Sequence, residues 1–241
     1  MEESSTSAVS YKVEPRRAIV EPVGERLMAP RGSCVVLHGW DSKGSDMAPL
    51  VAALQRLPAA AQWNFYTPTY ETQIETFVQA AQDLYPGIRA LQQPLIIVGY
   101  SEGAVVARQL VADGVQIKAV VTICGPHLGV GPWVPTPGAG PGSLRPDSPD
   151  LRNLNASSVD QSQRHRYHFF GIWCTDFWGD HQDDGVVPIN SALGTTLGQV
   201  AERVKLHLDY GQHIAGFDPH LRGMDPTYLM PVINTCAQLF A

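Results

Sequence analysis

The residues with the clearest chemical meaning are Gly99-Tyr100-Ser101-Glu102-Gly103. A serine hydroxyl is a useful nucleophile only when a base takes its proton and the hydroxyl stands clear of the backbone. A sharp strand-to-helix turn does the second job, provided its neighbours are small. Gly99 and Gly103 are small, an apolar run (residues 94–98) precedes the pentapeptide, and a helical run (104–112) follows it. A Gly-rich turn without chemistry would show the same five residues, so the partners of Ser101 carry the argument.

The serine needs a histidine base, and the histidine needs a carboxylate to fix its tautomer. Where the serine leaves a strand in such a turn, the chain order is serine, acid, histidine, each partner in a loop after a later strand. Asp176, Asp180, Asp183 and Asp184 follow the apolar run that ends at Trp173. Asp184 is read as the acid. It opens Asp184-Gly185-Val186-Val187-Pro188, where the glycine permits a sharp turn and the valines anchor the loop on the core. Asp183 is the alternative, better suited to a solvated loop position. His213, in Tyr210-Gly211-Gln212-His213-Ile214-Ala215-Gly216, follows the last apolar strand and is read as the base. His207 falls inside that strand and reads as structural. His220 lies farther on, in a Pro-rich connection. The oxyanion is expected to meet the backbone N–H groups of Glu102 and Trp40, with Gly39 allowing close approach. The Glu102 carboxylate would oppose developing negative charge. It is therefore expected to point away, toward the start of the following helix, where it suits the dipole.

These residues must be placed by strands and helices in alternation. Residues 33–37, 63–66, 94–98, 117–123, 167–173 and 200–208 read as strands, and 47–57, 74–91, 104–112 and 226–240 as helices. Pro86 should kink or split the second helix. Residues 17–21 fit an edge strand. Continuous apolar strands interleaved with helices predict an α/β domain with a mostly parallel central sheet covered on both faces. Residues 125–165 hold many of the glycines and prolines. They read as a long lid-like insertion, with a short helix near 149–155. Residues 1–14 are polar and read as a flexible N-terminal segment before a single domain, 15–241.

Composition narrows the partners. The chain has 241 residues, a net charge of −6 and no lysine/arginine block, which argues against nucleic acid. No apolar stretch approaches a transmembrane span. The first residues lack a basic start and an apolar core, so the expectation is a cytoplasmic protein without a signal peptide. Cys34, Cys124, Cys174 and Cys236 form no CxxC pair and read as buried free thiols.

With these residues assembled, the chain resembles the α/β-hydrolase superfamily, and within it the lipase/esterase group of bacterial lipases and inositol-deacylase-like enzymes. Four elements carry the resemblance across residues 33–216. They are Leu37-His38-Gly39-Trp40, the pentapeptide around Ser101, Thr122-Ile123-Cys124-Gly125-Pro126-His127-Leu128-Gly129 with the lid-side segment 144–155, and Asp183-Asp184-Gly185-Val186-Val187-Pro188 followed by Ser191. Tyr100 and Glu102 depart from the group's more usual histidine and apolar or amide residues.

The resemblance implies a serine carboxylic-ester hydrolase acting on a small-molecule or lipid ester through Ser101, Asp184 and His213, with an acyl-enzyme intermediate and no cofactor. An acyltransferase or thioesterase would use the same residues, and a non-catalytic binding protein would share the fold. Substrate contacts are expected from His38, Tyr100, His127 and Trp133, although a loop-orienting role is the simpler one for His127. Trp173, Phe177 and Trp178, with Trp133, are candidates to line an apolar acyl site under the lid, the alternative being core, which is preferred for Trp173. Related lipases often hold calcium near the acid loop. The acidic run here reads instead as a solvated turn without a metal.

Overall fold

In the computed structural model, residues 20–25, 29–176, 178–210 and 218–241 are described. The apolar runs form β1 (Gly32–Leu37), β2 (Trp63–Tyr66), β3 (Leu95–Tyr100), β4 (Ala119–Ile123) and β5 (Tyr167–Asp176), joined later by β6 (Gly179–His181) and β7 (Glu202–Asp209). The parallel order is β2-β1-β3-β4-β5-β7, and β6 folds back antiparallel on β5. Every residue of β1, β3 and β4 is buried, as a continuous apolar run demands of a strand covered on both faces. The edge strand β7 alternates instead, burying Leu206 and Leu208 between exposed neighbours.

The helices are α1 (Ala48–Gln55), α2 (Phe77–Arg89), α3 (Glu102–Ala112), α4 (Ala139–Ser143), α5 (Pro149–Ala156), α6 (Ser158–Gln163), α7 (Ile189–Ala192), α8 (Asp218–Leu221) and α9 (Met230–Phe240). One face of the sheet packs Val35, Ile97, Val120 and Phe169 against Phe77, Leu84, Leu110 and Leu154, from α2, α3 and α5. The other packs Val36, Val98, Val121 and Phe170 against Leu50, Leu54, Val232 and Phe240, from α1 and α9.

Several sequence expectations need correction. α2 begins at Phe77 rather than Ile74, because Thr76 and Gln79 form a reciprocal capping box with bonds of 3.3 and 2.9 Å. Ile74 is left exposed. Pro86 sits inside α2 without dividing it. Residues 20 and 21 form no strand, though Pro22 makes a single bridge to Tyr66. Residues 125–165 carry three helices, α4 to α6, rather than one. No helix among the described residues is long and apolar enough to cross a membrane.

Candidate active site

Ser101 sits between β3 and α3 with φ 52° and ψ −123°. A non-glycine residue adopts that conformation only when its surroundings impose it. Its N–H donates to Ile123 O at 2.8 Å, tying the turn to the neighbouring strand β4. The glycines are required by contact. A Cβ at Gly99 would stand 2.4 Å from Gly103 O, and one at Gly103 would stand 2.5 Å from His38 O. Across the crevice, a Cβ at Gly39 would stand 2.9 Å from Ser101 Cβ. Glu102 opens α3, so its N–H is one of the first-turn donors that no helical carbonyl can reach.

The histidine at the serine is His220. Its Nε2 lies 2.9 Å from Ser101 Oγ, and its Nδ1 lies 2.8 Å from Asp184 Oδ2. His213, expected here, lies outside the described residues, and the position beside Ser101 Oγ belongs to His220. The short helix α8 carries His220, and Tyr100 Oη fixes the backbone there by donating to His220 O at 2.9 Å. Asp184 is fully buried, and its Oδ1 accepts the N–H groups of Val186 and Val187 at 3.0 and 2.7 Å. Those bonds are the turn that Asp184-Gly185-Val186-Val187 was expected to make. Asp183 points elsewhere and accepts from Gly185 N–H at 2.8 Å.

No family model and no curated protein matches the chain. Solved structures do. The mature form of Bacillus licheniformis lipase BlEst2 matches with a TM-score of 0.62 at 15% identity, covering 91% of this chain and 97% of that one. The Paleococcus ferrophilus monoacylglycerol lipase matches with a TM-score of 0.56 at 12% identity, covering 93% and 100%. A structure reported for the metagenome-derived lipolytic enzymes LipS and LipT matches with a TM-score of 0.53 at 15% identity, covering 92% and 96%. The fold is that of the α/β hydrolases. At these identities the likeness speaks for the fold.

A cavity of about 550 Å³ opens on Ser101 and His220. Trp40 and Tyr100 line it, as do Val130, Val134, Pro137 and Leu144 from segment 125–165, and Leu221 and Met224. Asp41, Ser42, Asp46 and Thr136 are polar residues of its wall. Three residues expected at the substrate stand elsewhere. His38 is buried beneath the turn, stacked on Tyr70 at 4.0 Å. Its Nε2 accepts Tyr70 N–H at 3.3 Å, which leaves Nδ1 to donate to Gly39 O at 2.8 Å, and burial lowers its pKa. Trp133 is half exposed and donates from Nε1 to Gly185 O at 3.0 Å, so it braces the acid loop from outside.

His127 is the third, stacked on Phe169 at 4.1 Å inside a buried polar cluster. Arg108 and Arg164 share the Asp160 carboxylate at 2.8 Å each, and Arg108 reaches His127 Nδ1 at 3.5 Å. His127 Nε2 therefore carries the proton toward Thr122 Oγ1, 3.0 Å away. Burial and the nearby arginines hold its pKa well below the ordinary value. The cluster clamps segment 125–165 to α3, since Asn155 binds both Arg108 and His127 O. Nothing in the sequence reading joined Arg108 to Asp160, which stand 52 positions apart.

Glu102 also differs from expectation. Its side chain is fully buried, and neither carboxylate oxygen has a hydrogen-bond partner among the described residues. Burial, with Glu71 adding repulsion, raises its pKa well above the usual value. A buried, unpaired carboxylate is so costly that the group keeps its proton. The acidic run beside the acid loop is likewise resolved into separate contacts. Asp176 meets His181 at 2.8 Å and Asp180 accepts from Thr175 at 2.7 Å, both within the β5–β6 hairpin. The closest grouping of metal-type ligand atoms among the described residues is Cys124, Asp184 and His220.

Proposed function

We propose that the chain is a serine carboxylic-ester hydrolase. Ser101 Oγ attacks the ester carbonyl while His220 Nε2 takes its proton. Asp184 holds His220 in the tautomer whose Nε2 is free to accept and stabilises the imidazolium that forms. The N–H groups of Glu102 and Trp40 hold the developing oxyanion. His220 then gives its proton to the departing alcohol, and a water activated by the same histidine cleaves the acyl-enzyme.

The observation that carries this reading is the pair of contacts at His220, 2.9 Å to the serine and 2.8 Å to the buried aspartate. The strained Ser101 backbone supports it, because such strain collects where a side chain must be aimed. The mostly apolar wall of the cavity favours an acyl group over a charged one. A neutral Glu102 removes the objection to a carboxyl group beside an oxyanion site. The test is labelling by a fluorophosphonate probe together with p-nitrophenyl ester hydrolysis. Wild type is expected to label with one equivalent and turn over, and Ser101→Ala to do neither. Full hydrolysis by Ser101→Ala would refute the assignment.

A further inference from the structure

Cys124 follows β4 directly, in a left-handed conformation, φ 52°, that side-chain-bearing residues rarely adopt. Two bonds impose it. Cys124 N–H donates to Phe170 O at 2.8 Å, and the carbonyl just before it, Ile123 O, accepts Ser101 N–H at 2.8 Å. The turn that braces the nucleophile therefore also aims the cysteine. Cys124 Sγ, a carboxylate oxygen of Asp184 and a ring nitrogen of His220 all lie within 4.8 Å of one another, and all three residues are buried. Gly223 makes room for this arrangement, since a Cβ there would stand 3.3 Å from the sulfur and 2.7 Å from the Tyr100 ring.

The lone pairs of Asp184 give the thiol a task. An ionised carboxylate accepts about four hydrogen bonds. Oδ1 takes two, from Val186 and Val187 N–H, and Oδ2 takes one from His220 Nδ1. These three donors, counted among the described residues, leave room for a fourth at the carboxylate. The thiol beside it keeps its proton, because burial and the Asp184 charge both push its pKa well up. A neutral thiol is a weak donor, but here it faces a carboxylate in a dry setting.

We propose that Cys124 is a positioning residue, its S–H donating a further hydrogen bond to the Asp184 carboxylate and so holding it on His220 Nδ1. The proposal rests on the serine-hydrolase reading. It includes no covalent step at sulfur.

Cys124→Ala and Cys124→Ser separate donation from space filling, since both are small and only serine donates. Cys124→Ala is expected to lower kcat about tenfold, the scale of losing one bond to a charged group, with KM within about twofold. Without the donor Asp184 becomes more basic, so the acid limb of the kcat/KM–pH profile moves to higher pH. Cys124→Ser is expected to return both quantities to near wild type. Equal behaviour of the two variants, or a serine variant worse than the alanine one, overturns the proposal and leaves the thiol as filler. The unaltered protein gives an independent readout in the infrared S–H stretch. The band lost in Cys124→Ser should lie at lower frequency than those of Cys34 and Cys236, and coincidence with them also overturns the proposal. Absence of ester turnover and of fluorophosphonate labelling in wild type would instead remove the hydrolase reading, an outcome that the infrared band does not depend on.

Discussion

Glu102 is the residue whose setting departs most from what its type suggests. An acid beside the nucleophile reads as a cap on the following helix, yet it is sealed in the interior without a partner among the described residues. Being neutral, it is mimicked by glutamine, so Glu102→Gln is expected to keep kcat/KM within about threefold, well short of the hundredfold scale of a lost oxyanion donor. Its stability effect has a definite sign. The folded pKa is raised, so above the ordinary glutamate range the folded chain retains a proton that the unfolded chain has lost. Its contribution is complete below that range and declines as pH rises toward the folded value. The melting temperature of Glu102→Gln minus that of wild type should therefore grow between about pH 5 and pH 8; a constant difference would show Glu102 ionised in both states. The residue chemistry was legible where local pattern decides it. Ser101 and Asp184 each stand in a turn that their glycines announce. The base was not, because His213 and His220 follow the same strand and only tertiary contact selects one. The Pro219 beside His220 reads as a connection, whereas it belongs to the first turn of α8.

At the scale of elements, the strands were legible because burial on both faces leaves continuous apolar runs. The antiparallel β6, Gly-Asp-His, was not, since three polar residues carry no such signal. Segment 125–165 was only partly legible for a related reason. α4, Ala-Gly-Pro-Gly-Ser, has poor helix propensity and is held by docking, with Gly140 so close that a Cβ would stand 2.0 Å from Thr72 O. Ser191 fastens the near end of the segment, accepting Leu128 N–H at 2.9 Å and donating to Gly129 O at 2.6 Å. Ser191→Ala leaves both groups without this partner and should cost about 2 kcal/mol in chemical unfolding; an unchanged midpoint would show that the segment is held elsewhere. The crevice between the β1 loop and the elbow predicts a different effect. In Gly39→Ala the new methyl meets Ser101 Cβ at 2.9 Å, so the nucleophile itself must shift. Displacements of this kind cost on the order of a hundredfold in kcat. The fold should survive, visible as an unchanged far-ultraviolet circular dichroism spectrum. Unaltered turnover would mean that the crevice widens without cost.

For the molecule as a whole, the sheet delivers the serine, the acid and the histidine from the end of β3, the loop between β6 and α7, and the connection after β7. Three parts of the chain far apart in sequence thus converge on one site. The buried Arg108–Asp160–Arg164 cluster anchors the segment that walls the cavity, so the cavity is expected to keep its size rather than adapt to each substrate. With about 550 Å³ and a mostly apolar wall, turnover of p-nitrophenyl esters should rise from acetate through medium chains. A maximum at acetate would place the acyl group outside this cavity. The central claim, that His220 is the base for Ser101, is tested most directly by ester hydrolysis in two alanine variants measured side by side. His220→Ala is expected to lower kcat by about 10⁴ or more, while His213→Ala stays within about threefold of wild type. The reverse pattern, with His213→Ala inactive and His220→Ala near wild type, would contradict the account.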